Sequence, residues 1–112
     1  MITIANHQEL QKKIKLPASR LTDFCRRWQI KELALFGSVL RDDFTDESDI
    51  DVLISFMPDA DWSLLDTIQL EQEMAAMLNR DVDLISKSAV EKSANWIRRQ
   101  EILDTAQVIY AA

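Results

Sequence analysis

The chain has 112 residues, 47% of them apolar and 29% charged, with a formal net charge of −6. That length suits a single domain over 1–112, and the apolar share is that of a globular protein, which excludes a disordered chain. No apolar run is long enough to span a membrane, and Met1 to Leu10 lacks the basic start and apolar stretch of a signal peptide. With Cys25 as the only cysteine, an internal disulfide is impossible and a cytoplasmic protein is expected. Basic residues are scattered, apart from Lys12-Lys13-Lys15 and Arg98-Arg99, so non-specific nucleic-acid binding is not expected. A nucleotide substrate stays open, because bound metal ions reverse local charge.

The first fifteen residues read either as a short helix or as a loose arm. Leu21, Phe24, Cys25 and Trp28 fall at i, i+3, i+4 and i+7, one face of an amphipathic helix, with the start residues Pro17 and Ser19 ahead of it. Lys31 to Phe36 reads as a short strand that ends at Gly37, and Ser38 to Asp42 as the start of a short helix. Gly37 is the only glycine, where average usage gives about eight in such a chain. It is expected where a side chain cannot be tolerated.

Asp49 to Phe56, DIDVLISF, is a second strand, followed by a loop over Pro58 to Asp61. Ser63 to Asn79 is a long helix with Leu70, Met74, Met77 and Leu78 on one side. Arg80 to Ser86, RDVDLIS, is a third strand. Ser88 is the expected cap of a last helix to about Thr105, with Val90, Ala94 and Ile97 inward, and Val108 to Tyr110 is a short closing strand. The order predicts an α/β fold, a small mixed sheet packed with helices.

Strand periodicity puts Asp49 and Asp51 on one face, with Ile50, Val52 and Ile54 on the other. Carboxylates two residues apart on a strand lie roughly 7 Å apart. In a partly buried place they repel, and one is expected to take up a proton. A divalent cation, Mg²⁺ or Mn²⁺, removes that conflict. In the third strand Asp83 lies opposite in phase to Val82 and Leu84. If that strand pairs beside the second, Asp83 joins the other two, and three carboxylates can hold two metals about 4 Å apart for in-line phosphoryl displacement. Gly37-Ser38, after a strand and before a helix, supplies a phosphate cradle. Arg41 can reach a phosphate oxygen, and Ser48 can add a donor.

Gly37-Ser38, ten residues, then Asp49-x-Asp51 gives the motif G-S-x10-D-x-D. On LFGSVLRDDFTDESDIDVLISF, extended by RDVDLIS and the final helix with VIY, the chain resembles the DNA polymerase beta-like nucleotidyltransferases. More closely, it resembles the minimal nucleotidyltransferases encoded beside HEPN-domain toxins. The resemblance covers about Glu32 to Tyr110. It implies that Gly37 and Ser38 hold the triphosphate of ATP, that Asp49 and Asp51 bind the metals, and that Asp83 bonds a metal and draws the proton from the acceptor hydroxyl. It further implies an antitoxin that assembles with its HEPN toxin and transfers AMP to a tyrosine of it. Many relatives have a glycine where this chain has Asp42.

Other readings stand beside these. Strand alternation alone would make Asp49, Asp51 and Asp83 ordinary solvent-facing residues. Ser38 reads equally as a helix cap, and Arg41 as a partner of Asp42, Asp43 or Asp46. The domain could neutralise a toxin by contact alone, or modify a small molecule. His7 reads as solvated, Cys25 as core rather than nucleophile. Trp28, Trp62 and Trp96 read as core or interface anchors, with Trp62 exposed after its acidic loop.

Overall fold

The computed structural model describes residues 10, 12–41, 44–45 and 47–112. His7, Asp42, Asp43 and Asp46, singled out above, lie outside the described residues. In chain order come α1 (Ala18–Arg27), β1 (Ile30–Phe36), a 3₁₀ turn (Gly37–Leu40), β2 (Ile50–Phe56), α2 (Leu64–Leu78), β3 (Val82–Ser86), α3 (Lys87–Glu91), α4 (Trp96–Thr105) and β4 (Gln107–Ala111). The strands form one mixed sheet in the order β3-β2-β1-β4, with β1 antiparallel to β2 and β4, and β2 parallel to β3.

The two central strands are covered on both faces. Leu33, Ala34, Leu35 and Phe36 of β1 are all buried, which is why the sequence there runs apolar instead of alternating. One face carries Leu33, Leu35, Ile50, Val52 and Ile54 against Phe24 and Cys25 of α1 and Leu70 and Met74 of α2. The other carries Ala34, Phe36 and Leu53 against Val90 of α3 and Ile102 of α4. Residues 12–14 are helical, and Leu10, Ile14 and Leu16 pack into the first cluster, so the described end of the N-terminal segment is a packed element and not a loose arm.

Local chemistry explains where the helices begin and end. Ser63 caps α2: its hydroxyl accepts the Asp66 N–H while the Asp66 carboxylate accepts the Ser63 N–H, and Asn79 ends the helix in the left-handed region at φ 55°. The expected last helix is two helices. Ser86, not Ser88, caps α3, and Asn95 caps a separate α4 by accepting the Arg98 N–H at 3.2 Å. Ser93 and Asn95 offer side-chain partners that compete with continued helix. The break resets the phase of the stripe. Val90 is buried as expected, but Ala94 is exposed, Ile97 is 63% exposed, and Ile102 takes the inward place.

Trp62 is half-buried rather than exposed: its indole N–H donates to the Trp28 carbonyl at 2.8 Å, and the two rings pack edge to face with centroids 5.0 Å apart. Trp96 is exposed. Among the described residues no helix is long and apolar enough to cross a membrane. Leu70, which has no exposed surface, ties α2 to the sheet. Leu70→Ala is expected to lower unfolding free energy by about 2–5 kcal/mol, read as a lower urea midpoint at unchanged slope. An unshifted midpoint would refute this core assignment.

Candidate active site

One row of residues crosses three strands. Phe36, the last residue of β1, pairs with Asp51 of β2, and Asp51 pairs in parallel register with Asp83 of β3. The two carboxylates therefore sit side by side on the α3/α4 face, with apolar Leu53 and Phe36 beneath and beside them. Asp49 lies just before β2, exposed, and shares that phase. The Ile50 N–H donates to the Asp81 carbonyl at 3.0 Å, which fastens the start of β2 to the start of β3.

Gly37 follows Phe36 at φ +76°, and a Cβ built on it would lie 2.2 Å from Oδ2 of Asp51. The expectation that a side chain is not tolerated there holds, and the group that forbids it is the Asp51 carboxylate itself. The short helix expected over Ser38 to Asp42 is instead a single 3₁₀ turn that ends at Leu40, with Arg41 already extended (φ −114°, ψ 165°). The Lys13 ammonium donates to the Val39 carbonyl at 3.0 Å and to the Arg41 carbonyl at 3.4 Å, satisfying acceptors that the end of the turn leaves open. A turn this short carries no sizeable macrodipole, so whatever anion affinity it has rests on its local N–H groups and on nearby cations.

The Ser38 hydroxyl donates to the Asp49 carbonyl at 3.5 Å, which joins the turn to the strand start. Ser48 is engaged in its own loop: its hydroxyl accepts the Thr45 N–H at 3.0 Å and lies 3.2 Å from the Thr45 hydroxyl. Two arginines were not singled out from sequence. Arg80 donates to the carbonyls of Thr45 and Ser48 at 3.0 and 2.9 Å and lies over the Phe44 ring, so it anchors the loop that delivers Asp49. Nothing in the sequence links position 80 to position 45. Arg98, read only as half of a basic pair, lies with Arg41 on a cleft of about 410 Å³ between the 3₁₀ turn and α4.

Burial first, then the charges of Asp83 and Asp49, push the Asp51 carboxyl above its ordinary range, while the guanidinium groups of Arg41 and Arg98 draw it back. This is the conflict expected of clustered carboxylates. Among the described residues no three Asp, Glu, His or Cys side chains are gathered as a compact ligand cluster. The donor chemistry still fits a hard divalent cation: Asp51 and Asp83 adjoin, and Asp49 is within electrostatic reach. Cys25 is no rival centre, since it is fully buried and burial pushes its thiol up to about 12.

Gly37→Ala is expected to cost about 1–2 kcal/mol through its positive φ and to drive the Asp51 carboxylate aside. Nucleotide binding, measured by titration calorimetry, should fall by more than stability does; unchanged binding would rule out the close approach. The raised pKa of Asp51 gives a second outcome. The folded state holds that proton more tightly than the unfolded chain, so Asp51 costs stability as pH rises from the ordinary carboxylate range through its raised value. In a chelator, Asp51→Asn should be more stable than the parent at neutral pH, and the difference should vanish as pH falls below about 4. Thermal melts that show no gain at pH 7, or a gain that grows on acidification, would contradict this.

Residues 19–109 match the model of the nucleotidyltransferase domain. A candidate protein adenylyltransferase of Methanocaldococcus jannaschii is 34% identical over 84 residues, 75% of this chain and 82% of that protein. Protein adenylyltransferase MntA of Thermococcus cleftensis is 37% identical over 67 residues, 58% of this chain and 64% of that protein. A chain in the solved complex of a tri-AMPylated HEPN toxin with an MNT antitoxin, from Shewanella oneidensis, has the same fold. It aligns with a TM-score of 0.58 at 20% identity over 92% of this chain and 73% of that one. The matched region holds the sheet, the helices on both faces and the Gly37, Asp51 and Asp83 site, and the chain belongs to the nucleotidyltransferase domain family.

Proposed function

We propose that this nucleotidyltransferase takes AMP from ATP and transfers it to a hydroxyl, a tyrosine in the first instance, of a HEPN-type toxin with which it assembles as antitoxin. The observation that carries the reading is the Asp51–Asp83 pair, set in parallel register beside a glycine that their own geometry requires. The AMP group and the toxin partner are supported by relatives, which include protein adenylyltransferase MntA and the complex with an AMPylated HEPN toxin. Exposed Trp96 and Ile97, next in sequence to the cleft residue Arg98, offer apolar surface suited to a protein acceptor.

Asp49, Asp51 and Asp83 would hold Mg²⁺, with Mn²⁺ as the alternative ion. When bound, the metal supplies charge neutralisation and Lewis-acid polarisation at the phosphates. Gly37 lets the turn lie against Asp51, and Ser38 and Arg41 would offer the triphosphate donors there. Asp83 accepts the proton of the acceptor hydroxyl. That oxygen bonds to the α-phosphorus as the bond to the bridging oxygen breaks, and pyrophosphate leaves. The protein's part is to align the groups and neutralise charge.

The test is to incubate the purified chain with ATP labelled at the α-phosphate, Mg²⁺ and the protein encoded beside it in the genome, comparing the parent with Asp83→Asn. The parent should label the partner and add whole AMP units to its mass. Asp83→Asn should still bind ATP but transfer at least about 10²-fold more slowly. A variant that transfers at the parent rate would remove the base assignment. A partner neutralised without gaining mass would leave contact alone as the mode of action.

A further inference from the structure

Arg98 does not belong to the motif and lies sixty-one residues after Gly37 in the chain, yet the fold brings the two to one cleft. The Gly37–Leu40 turn and Arg41 form one wall; Arg98 and Glu101, in the first turns of α4, form the other. The adjacent arginine provides a contrast. Arg99 is half-buried and donates to the Ser93 carbonyl at 3.0 Å, where it fixes the α3–α4 break. Arg98 is exposed, and among the described residues no hydrogen bond or ion pair engages its guanidinium. Its backbone N–H is held by Asn95, so the start of the side chain is fixed while its charged end stays available. In a chain of net charge −6, Arg41 and Arg98 bring two cationic side chains to opposite walls of this cleft.

We propose that Arg98 is a second phosphate-binding arginine, which with Arg41 receives the β- and γ-phosphates of the nucleotide and the pyrophosphate they become. The inference rests on the nucleotidyl-transfer reading above. A guanidinium suits the task, because it stays charged and presents paired donors to phosphate oxygens. Glu101 follows Arg98 by three positions on the same helix and faces the same cleft. Its carboxylate opposes a polyphosphate there, which sets the cleft's affinity for pyrophosphate below what two arginines alone would give and favours release of product.

Titration calorimetry of the full chain in Mg²⁺ with ATP, AMP and inorganic pyrophosphate tests this. Arg98→Ala should weaken ATP and pyrophosphate about tenfold or more, the scale of one charge-assisted hydrogen bond, and leave AMP unchanged. Arg98→Lys should fall between, and Glu101→Gln should bind pyrophosphate more tightly than the parent. Both positions are exposed, and circular dichroism would confirm that the fold persists. If the parent binds ATP and Arg98→Ala binds ATP and pyrophosphate equally well, or loses AMP in the same proportion, the inference is overturned while the functional reading stands. If the parent binds no ATP, both fall.

Discussion

At the end of β1 a backbone and a carboxylate occupy nearly the same space. A Cβ at residue 37 would stand 2.2 Å from Asp51 Oδ2, and that single exclusion organises what surrounds it. Glycine lets the chain pass close by Asp51 at positive φ, which turns it sharply out of the sheet into a 3₁₀ turn. Val39 then drops into the core with no exposed surface, and the turn is held by a lysine that arrives from before α1. Moving any of these would shift the carboxylate.

Around that contact the molecule sets a cost against a use. Asp51 is partly buried among like charges, a position unfavourable for stability by itself. The fold supports it with two apolar layers. The α1/α2 side is the larger cluster and includes Ile50, Val52 and Ile54, so the backbone of β2 is fixed from the face opposite its carboxylates. The smaller α3/α4 side includes Phe36, at the β1 end of the Asp51 row, and a cleft opens beside it between the 3₁₀ turn and α4. Carboxylates set on rigid strands suit groups that must be aligned before a reaction begins.

Much of this was legible in the sequence because it is local. Alternation in DIDVLISF and RDVDLIS placed the aspartates on one face, and a lone glycine between strand and polar loop marked the close approach. The spans of α1 and α2 followed from periodicity and caps. Features that depend on distant partners were not legible. No local pattern tells that Lys13 will bond the carbonyls of the turn after Gly37, that Arg80 will hold the loop at Thr45 and Ser48, or that Arg98 will meet Gly37 across a cleft. The break at residues 92–95 escaped for another reason: its capping side chains are ordinary serines and an asparagine, and the apolar spacing reads through them as one stripe.

The position of β3 in the sheet has a separate consequence. It is an edge strand of five residues, paired only with β2, and an edge of unpaired backbone groups can template pairing with another copy of the same chain. Here that edge opens with Asp81 and carries Asp83. Asp83 within the strand and Asp81 just before it bring two like charges to that edge, and in a second copy paired there in parallel register they would meet their own counterparts, so these carboxylates also discourage aggregation.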